Sequence, residues 1–185
     1  MAQSTGRRTA SPRPPRALLP AIIVMAAAAL GIGWLLIAGS DDAAACPASA
    51  ECVTVHTADG DYVFTAEWAI EIDEMTCGLM FRDEMDADHG MVFDYRSERP
   101  GIAFWMRNTL IPLDMVFIRA DGSVSNIAER TTPLSLESVP AAGPVRYVLE
   151  LVGGTADRIG LVAGDHVDLA RAQGRTAGTA ICATP

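Results

Sequence analysis

Lysine is absent from this chain of 185 residues, whose 14 basic residues are all arginine. Without lysine there is no Schiff-base amine, no P-loop ammonium and no lysine general base, so those chemistries are excluded by composition. Histidine is nearly as scarce: His56, His89 and His166 are the only three, and they lie far apart in sequence. No G-x-S-x-G, H-E-x-x-H or C-x-x-C string occurs, so neither a nucleophile elbow nor a zinc motif is announced. Internal repeats are also missing.

Each end of the chain lacks charge of one sign. No acidic residue precedes Ser40, whereas Arg7, Arg8, Arg13 and Arg16 do; the other ten arginines and all 23 acids follow it, leaving that part at −13. Such a surface repels phosphate backbones, which argues against a nucleic-acid partner. Residues 17–38 form an uncharged apolar run of 22, long enough for a helix to span the roughly 30 Å hydrocarbon core. Arginines before it and Asp41 and Asp42 after it orient it N-in, C-out.

The chain therefore divides into a basic cytoplasmic tail (1–16), a transmembrane anchor or signal segment (17–38), a linker (39–51), an exported globular domain (52–170) and a loose tail (171–185). The expected location is the inner membrane, single-pass with a periplasmic domain. Ala43-Ala44-Ala45 before Cys46 also offers a cleavage site, which would release the domain. Cys46, Cys52, Cys77 and Cys182 would then meet an oxidising compartment. Cys46, Cys52 and Cys182, at the domain ends, are the disulfide candidates, most simply through Cys182. Cys77, inside an apolar stretch, reads as a buried thiol or as a partner drawn in from the core.

Within the domain, residues 52–56 and 61–72 alternate as strands about a turn at Ala58-Asp59-Gly60-Asp61. Residues 73–81 change period and read as a short helix. Strands are expected at 91–95, 102–106, 113–119, 123–128, 145–151 and 166–169, with Asp121-Gly122 as a hairpin turn. Residues 131–144 read as a long loop, and Gly153-Gly154-Thr155 opens a helical turn. The whole indicates a β-rich α+β domain: a small curled or barrel-like, mostly antiparallel sheet with one or two short helices.

The strings Gly78-Leu79-Met80-Phe81-Arg82, Gly90-Met91-Val92-Phe93, Phe104-Trp105-Met106-Arg107-Asn108-Thr109 and Ile111-Pro112-Leu113-Asp114 occur in that order. Phe117-Ile118, Asp121-Gly122, Tyr147-Val148-Leu149-Glu150 and Gly164-Asp165 follow. Together they resemble the family known as domain of unknown function 192, over roughly residues 52–170. Cys77 departs from the residues common there. The resemblance implies a compact, mostly β domain, often exported, and implies no activity.

The best polar cluster is Arg107-Asn108-Thr109 with Trp105 and Asp114, and Arg82 at its edge. A guanidinium, an amide and a hydroxyl there suit a ligand's carboxylate or sugar hydroxyls. Trp105 and Arg107, two apart, would share a strand face. The architectural alternative has Asn108 and Thr109 satisfying loop backbone while Asp114, at the head of an apolar strand, pairs with Arg107 or Arg82. No catalytic residue and no cofactor is singled out. The function expected is a non-enzymatic module that binds a small molecule or envelope component, or serves as an accessory.

Two alternatives stand beside it. One is a hydrolase or transferase on an envelope carbohydrate or peptide, with Asp114 as acid/base and Arg107 as clamp. The other is copper handling by Met80, Met91, Met106 and Met115 with Cys77 and His89, although their spacing favours core filling. Gly153-Gly154, at a helix start, suits an anion or a cap.

Export is directly testable. A phosphatase fused after residue 170 should be active and a cytoplasmic reporter fused at the same point silent; the reverse pattern would overturn the assignment.

Overall fold

A computed structural model of the chain describes residues 51–169. The expected membrane segment, Cys46, Cys182 and the C-terminal tail lie outside them. Among the described residues no helix is long and apolar enough to cross a membrane.

Nine strands and two short helices follow in the order β1 (Cys52–Thr57), β2 (Gly60–Ala69), α1 (Ile72–Cys77), β3 (His89–Arg99), β4 (Ala103–Phe104), β5 (Leu113–Ile118), β6 (Val124–Thr131), β7 (Val139–Pro140), β8 (Val145–Val152), α2 (Thr155–Arg158) and β9 (His166–Asp168). Seven strands make one sheet in the order β6-β5-β8-β3-β2-β1-β9, and β4 and β7 pair separately. Every neighbour in the large sheet is antiparallel except β2 and β3. The parallel pair requires a crossover, and α1 with the loop after it supplies one.

The sheet curls into a half-barrel. At one end its two edges meet: Ser123 bridges His166, and the amides of Val124 and Val167 donate to the carbonyls of Asp165 and Gly122 at 2.8 and 2.9 Å. The short edge strand β9 is thereby partly covered, which limits edge-to-edge pairing with other chains.

Two cores lie on opposite faces of β3, β5 and β8. One gathers Val53, Val55, Phe64, Val92, Val116, Ile118, Leu149 and Leu151 with Ala156, Ile159 and Leu161 from around α2. The other holds Met91, Phe93, Leu113, Met115, Phe117 and Val148, joined by Leu79 and Met106 from the loops. All six residues of β5 are buried, because alternate side chains enter different cores.

The helix read at 73–81 ends early, at Cys77. Glu71 and Glu74 form a capping box at its start, and Glu74 accepts from the amides of Ile70 and Glu71 at 2.8 and 3.0 Å. Gly78, at φ 51°, terminates it. The strand read at 61–72 likewise stops at Ala69, and the one read at 102–106 shrinks to Ala103–Phe104. Trp105 and Arg107 are thus on a turn and not on a strand face. The loop read at 131–144 contains β7, which pairs Val139 with Phe104.

Asp114 corrects the expected ion pair. It is fully buried, and neither Arg107 nor Arg82 reaches it. Oδ1 accepts from the amides of Arg130 at 2.7 Å and Gly154 at 2.9 Å, and Oδ2 accepts from Gly154 at 2.9 Å and Ala156 at 2.7 Å. The Arg130 amide is available because the β5–β6 register slips between Leu113 and Met115, a bulge in which Arg130 takes φ 46°. On the other side, Gly153 lies against Pro112, where an added Cβ would meet backbone at 3.0 Å, and Gly154 sits at φ 94°. Both positions require glycine. The anion site read at Gly153-Gly154 exists, and the chain's own Asp114 fills it.

Removing that carboxylate takes the acceptor from three main-chain amides, that of Ala156 fully buried and those of Arg130 and Gly154 partly so. Asp114→Ala should cost about 3–5 kcal/mol of stability, measured by urea denaturation; a loss below about 1 kcal/mol would contradict this account.

Candidate functional site

The segment 105–110 leaves β4 as a turn with Asn108 at φ 55°. It is held between two other loops by main-chain bonds. The Phe81 amide donates to the Asn108 carbonyl at 2.8 Å, the Leu134 amide to Thr109 at 3.1 Å, and the Met106 amide to Ser135 at 3.0 Å. Below it Met106 is buried in the core, and the Thr131 hydroxyl donates to the Leu113 carbonyl at 2.8 Å.

Each of these three loops carries a non-glycine residue in the left-handed region: Phe81 at φ 63°, Asn108 at φ 55° and Leu134 at φ 62°. Such conformations cost of order 1 kcal/mol or more at Phe81 and Leu134 and less at Asn108, whose short polar side chain tolerates the region, and they persist where the surroundings impose them. The same loops expose Phe81, Trp105, Leu110, Leu134 and Leu136. The Arg107 guanidinium stacks 5.5 Å from the Trp105 ring centre. Five large apolar side chains on three loops, bonded through the central one, make an apolar surface with one cation at its tryptophan.

The sequence-predicted residues separate accordingly. Trp105 and Arg107 are exposed together on this surface. Asn108 is half-buried and points its amide at the Met80 sulfur, 3.8 Å away. Thr109 is buried, with its hydroxyl 3.4 Å from the Arg107 carbonyl. Asp114 is enclosed beneath β6 and α2 as described. Arg82 belongs to a different network: its guanidinium clamps both oxygens of Glu67, one arm at 2.7 Å, and His89 shares the same carboxylate at 2.9 Å. The His89 hydrogen bond first, and Arg82 with it, pull Glu67 down to about 2 against the opposing effect of its burial.

The copper set is dispersed as well. Met91, Met106 and Met115 fill the second core, His89 is bonded to Glu67 and Thr65, and Cys77 is not a free thiol. Cys52 is not one either. Among the described residues, no three His, Cys, Asp or Glu side chains are grouped to hold a metal.

Sequence reasoning missed two features. One is a cleft of about 280 Å³ lined by Ile70, Glu71, Ile72, Met75, Asp94, Tyr95, Arg96 and Arg99. It opens where the pairing of β3 with β8 shifts register between Asp94 and Arg99. The alternation of residues 91–95 gives no sign of that bulge. The other is Glu150, buried in β8 with Met91 of β3 and Met115 of β5 as its register partners. Burial pushes its carboxyl up to about 8, so it stays neutral at physiological pH.

With this geometry in place, the class is defined: a small curled-sheet α+β domain with an exposed apolar loop surface. The chain belongs to the family DUF192, described as Uncharacterized ACR, COG1430, whose model matches residues 54–169. It is similar to a solved Sinorhizobium meliloti 1021 protein described as a candidate transcription regulator, at 42% identity and TM-score 0.62, over 64% of this chain and 92% of that one. It is also similar to a Novosphingobium aromaticivorans DSM 12444 protein of unknown function, at 44% identity and TM-score 0.61, over 63% of this chain and 83% of that one. No match was found among curated proteins.

Glu150 sets a pH dependence whose sign is fixed. A folded-state value of about 8 against an ordinary 4.5 means the folded chain holds a proton that the unfolded chain releases. The stability this group contributes is therefore full below about pH 4.5 and falls as pH rises towards 8. The isosteric Glu150→Gln cannot ionise. The stability difference between the two proteins should move in the variant's favour by a few kcal/mol between pH 5 and 8, read from paired urea melts. A difference flat across that range would show that Glu150 does not carry the effect.

Proposed function

We propose that this chain is an exported, envelope-facing binding or accessory module without a catalytic role, and that it holds its ligand on the loop surface bearing Trp105 and Arg107. The observation that carries the reading is the set of three bonded loops, each strained at a non-glycine residue, that hold five large apolar side chains in solvent. Strain and exposure each oppose stability, and a binding role accounts for both at one place. A ligand with a flat or ring-shaped apolar face stacks on Trp105, while its carboxylate or hydroxyls take the guanidinium of Arg107. A sugar ring of an envelope glycan has that chemistry.

Export rests on the apolar run 17–38 with its charge asymmetry, and the absence of free thiols at Cys52 and Cys77 supports it, since cytosolic cysteines are kept reduced. Cys46 and Cys182 remain the cross-link candidates at the domain ends. The hydrolase or transferase alternative is weakened because its acid/base, Asp114, is buried with both oxygens already bonded to amides.

The test uses the full-length chain in a thermal-shift screen against soluble envelope oligosaccharides and muropeptides. At least one should raise the melting temperature of the parent. Trp105→Ala and Arg107→Ala should abolish that rise while lowering the ligand-free stability by less than about 1 kcal/mol, the scale of an exposed cation–π contact. No shift in the parent, or an undiminished shift in both variants, would refute the proposal.

A further inference from the structure

The cleft at the β3 bulge is separate from the loop surface in its lining residues and poses its own chemical question. Its apolar lining comes from Ile70, Met75 and the largely exposed Ile72, and its charged lining from Glu71, Asp94, Arg96 and Arg99. Most of those charges are matched inside the fold. Arg96 pairs with Glu71 at 2.6 Å. Asp94 accepts from Arg146 at 3.0 and 3.2 Å and from the Arg96 amide at 2.7 Å. Arg146 in turn stacks 4.5 Å from the Tyr147 ring centre.

Arg99 is what the pairing leaves over. It is exposed at the cleft wall and has no ion pair or hydrogen bond among the described residues. The Tyr95 hydroxyl, half-buried in the same wall, likewise has no hydrogen-bond partner among them. The cleft thus offers one guanidinium without an ion pair and one phenol, which sits within electrostatic reach of Arg99 and Glu150, beside an aliphatic lining, in a domain whose surroundings are strongly acidic. A local positive charge in a negative field selects a small ligand with one concentrated negative charge and rejects extended polyanions. The backbone here is specialised as well: Arg96 adopts φ 66° within the bulge, and bulges serve to re-aim side chains next to binding sites.

We propose that this cleft binds a small organic monocarboxylate with a short aliphatic arm. The carboxylate takes the fork of Arg99 and the hydroxyl of Tyr95, and the arm lies along Ile70, Ile72 and Met75. A planar fork matches a carboxylate in two-point contact, which a lone ammonium would not. The volume of about 280 Å³ admits a ligand of several carbons. The cleft shares no lining residue with the loop surface, so either proposal can fail alone.

The experiment titrates hexanoate into the full-length chain with methyl-labelled Ile and Met, following their NMR signals, with acetate and 1-hexanol as the two halves of the probe. Hexanoate should shift the methyls of Ile70, Ile72 and Met75, and acetate and 1-hexanol should each bind at least tenfold more weakly. Arg99→Gln should weaken hexanoate at least tenfold and Tyr95→Phe severalfold, with melting curves little changed for Arg99→Gln because that exposed side chain makes no ion pair or hydrogen bond among the described residues. Arg107→Ala should leave hexanoate binding intact. Hexanol binding as tightly as hexanoate, undiminished affinity in Arg99→Gln, or no methyl shifts at millimolar hexanoate would each overturn the proposal.

Discussion

A single carboxylate that makes no direct ion pair, with the Arg130 guanidinium acting on it only through space, organises one side of this domain. Asp114 is fully buried on β5, and its two oxygens are bonded to main-chain amides of Arg130, Gly154 and Ala156. A buried charge in this position ordinarily demands an arginine. Backbone amides do the same work with fixed dipoles and no side-chain entropy to lose, provided the chain can be brought close enough. Three local features follow from that demand: the bulge that frees the Arg130 amide, the left-handed Gly154, and the close contact of Gly153 with Pro112. Together they draw β6 and α2 onto β5. The Arg130 guanidinium, turned outward by the bulge, then pairs with Asp157 of α2 at 2.8 Å and ties the same elements on the outside.

The fold was legible in the sequence where periodicity carries the information. Alternation marked β1 and the body of β2, Asp121-Gly122 marked the β5–β6 hairpin, and Gly153-Gly154-Thr155 marked α2. It was less legible where both faces are buried, because β5 and the middle of β8 show no alternation to fix a face. The sequence pattern runs past the end of α1 because Leu79, four residues after Met75, continues the helical period, although Gly78 has already ended the helix and Leu79 enters the core from a loop. Asp114, at the head of an apolar strand, reads in the sequence as a charge in need of a side-chain partner, and the fold gives it amides instead. Amides leave no mark in a sequence except through the glycines that let them approach, here Gly153 and Gly154.

The candidate site divided along the same line. Adjacent residues in a string such as Trp105-Met106-Arg107-Asn108-Thr109 invite a reading as one cluster, yet a turn sends them in different directions. Met106 and Thr109 go inward, and Trp105 and Arg107 outward. What joins Trp105 to Phe81, Leu110, Leu134 and Leu136 is three main-chain hydrogen bonds between loops distant in sequence, and no local pattern encodes those. The five are unremarkable singly, since exposed apolar residues are common. Their convergence is informative only once the loops are placed.

These features separate what serves the fold from what does not. Asp114 is satisfied, the Glu67–Arg82–His89 network is closed, and the salt bridges around Asp94 and Arg96 are matched, so each lowers the free energy of the folded chain or leaves it near neutral. Glu150 in the second core, the strained Phe81, Asn108 and Leu134, and the unpaired Arg99 have no such return within the fold. Glu150 differs from the others in kind, because protonation removes its charge and leaves a neutral group among thioethers at moderate cost. The strained loops have no equivalent escape, since φ does not titrate, whereas the guanidinium of Arg99 stays charged but is exposed to water. Backbone strain of that kind has to be offset by packing elsewhere in the fold, and this contrast with the satisfied buried acids is the ground on which we propose the loop surface and the bulge cleft as the places where the domain meets other molecules.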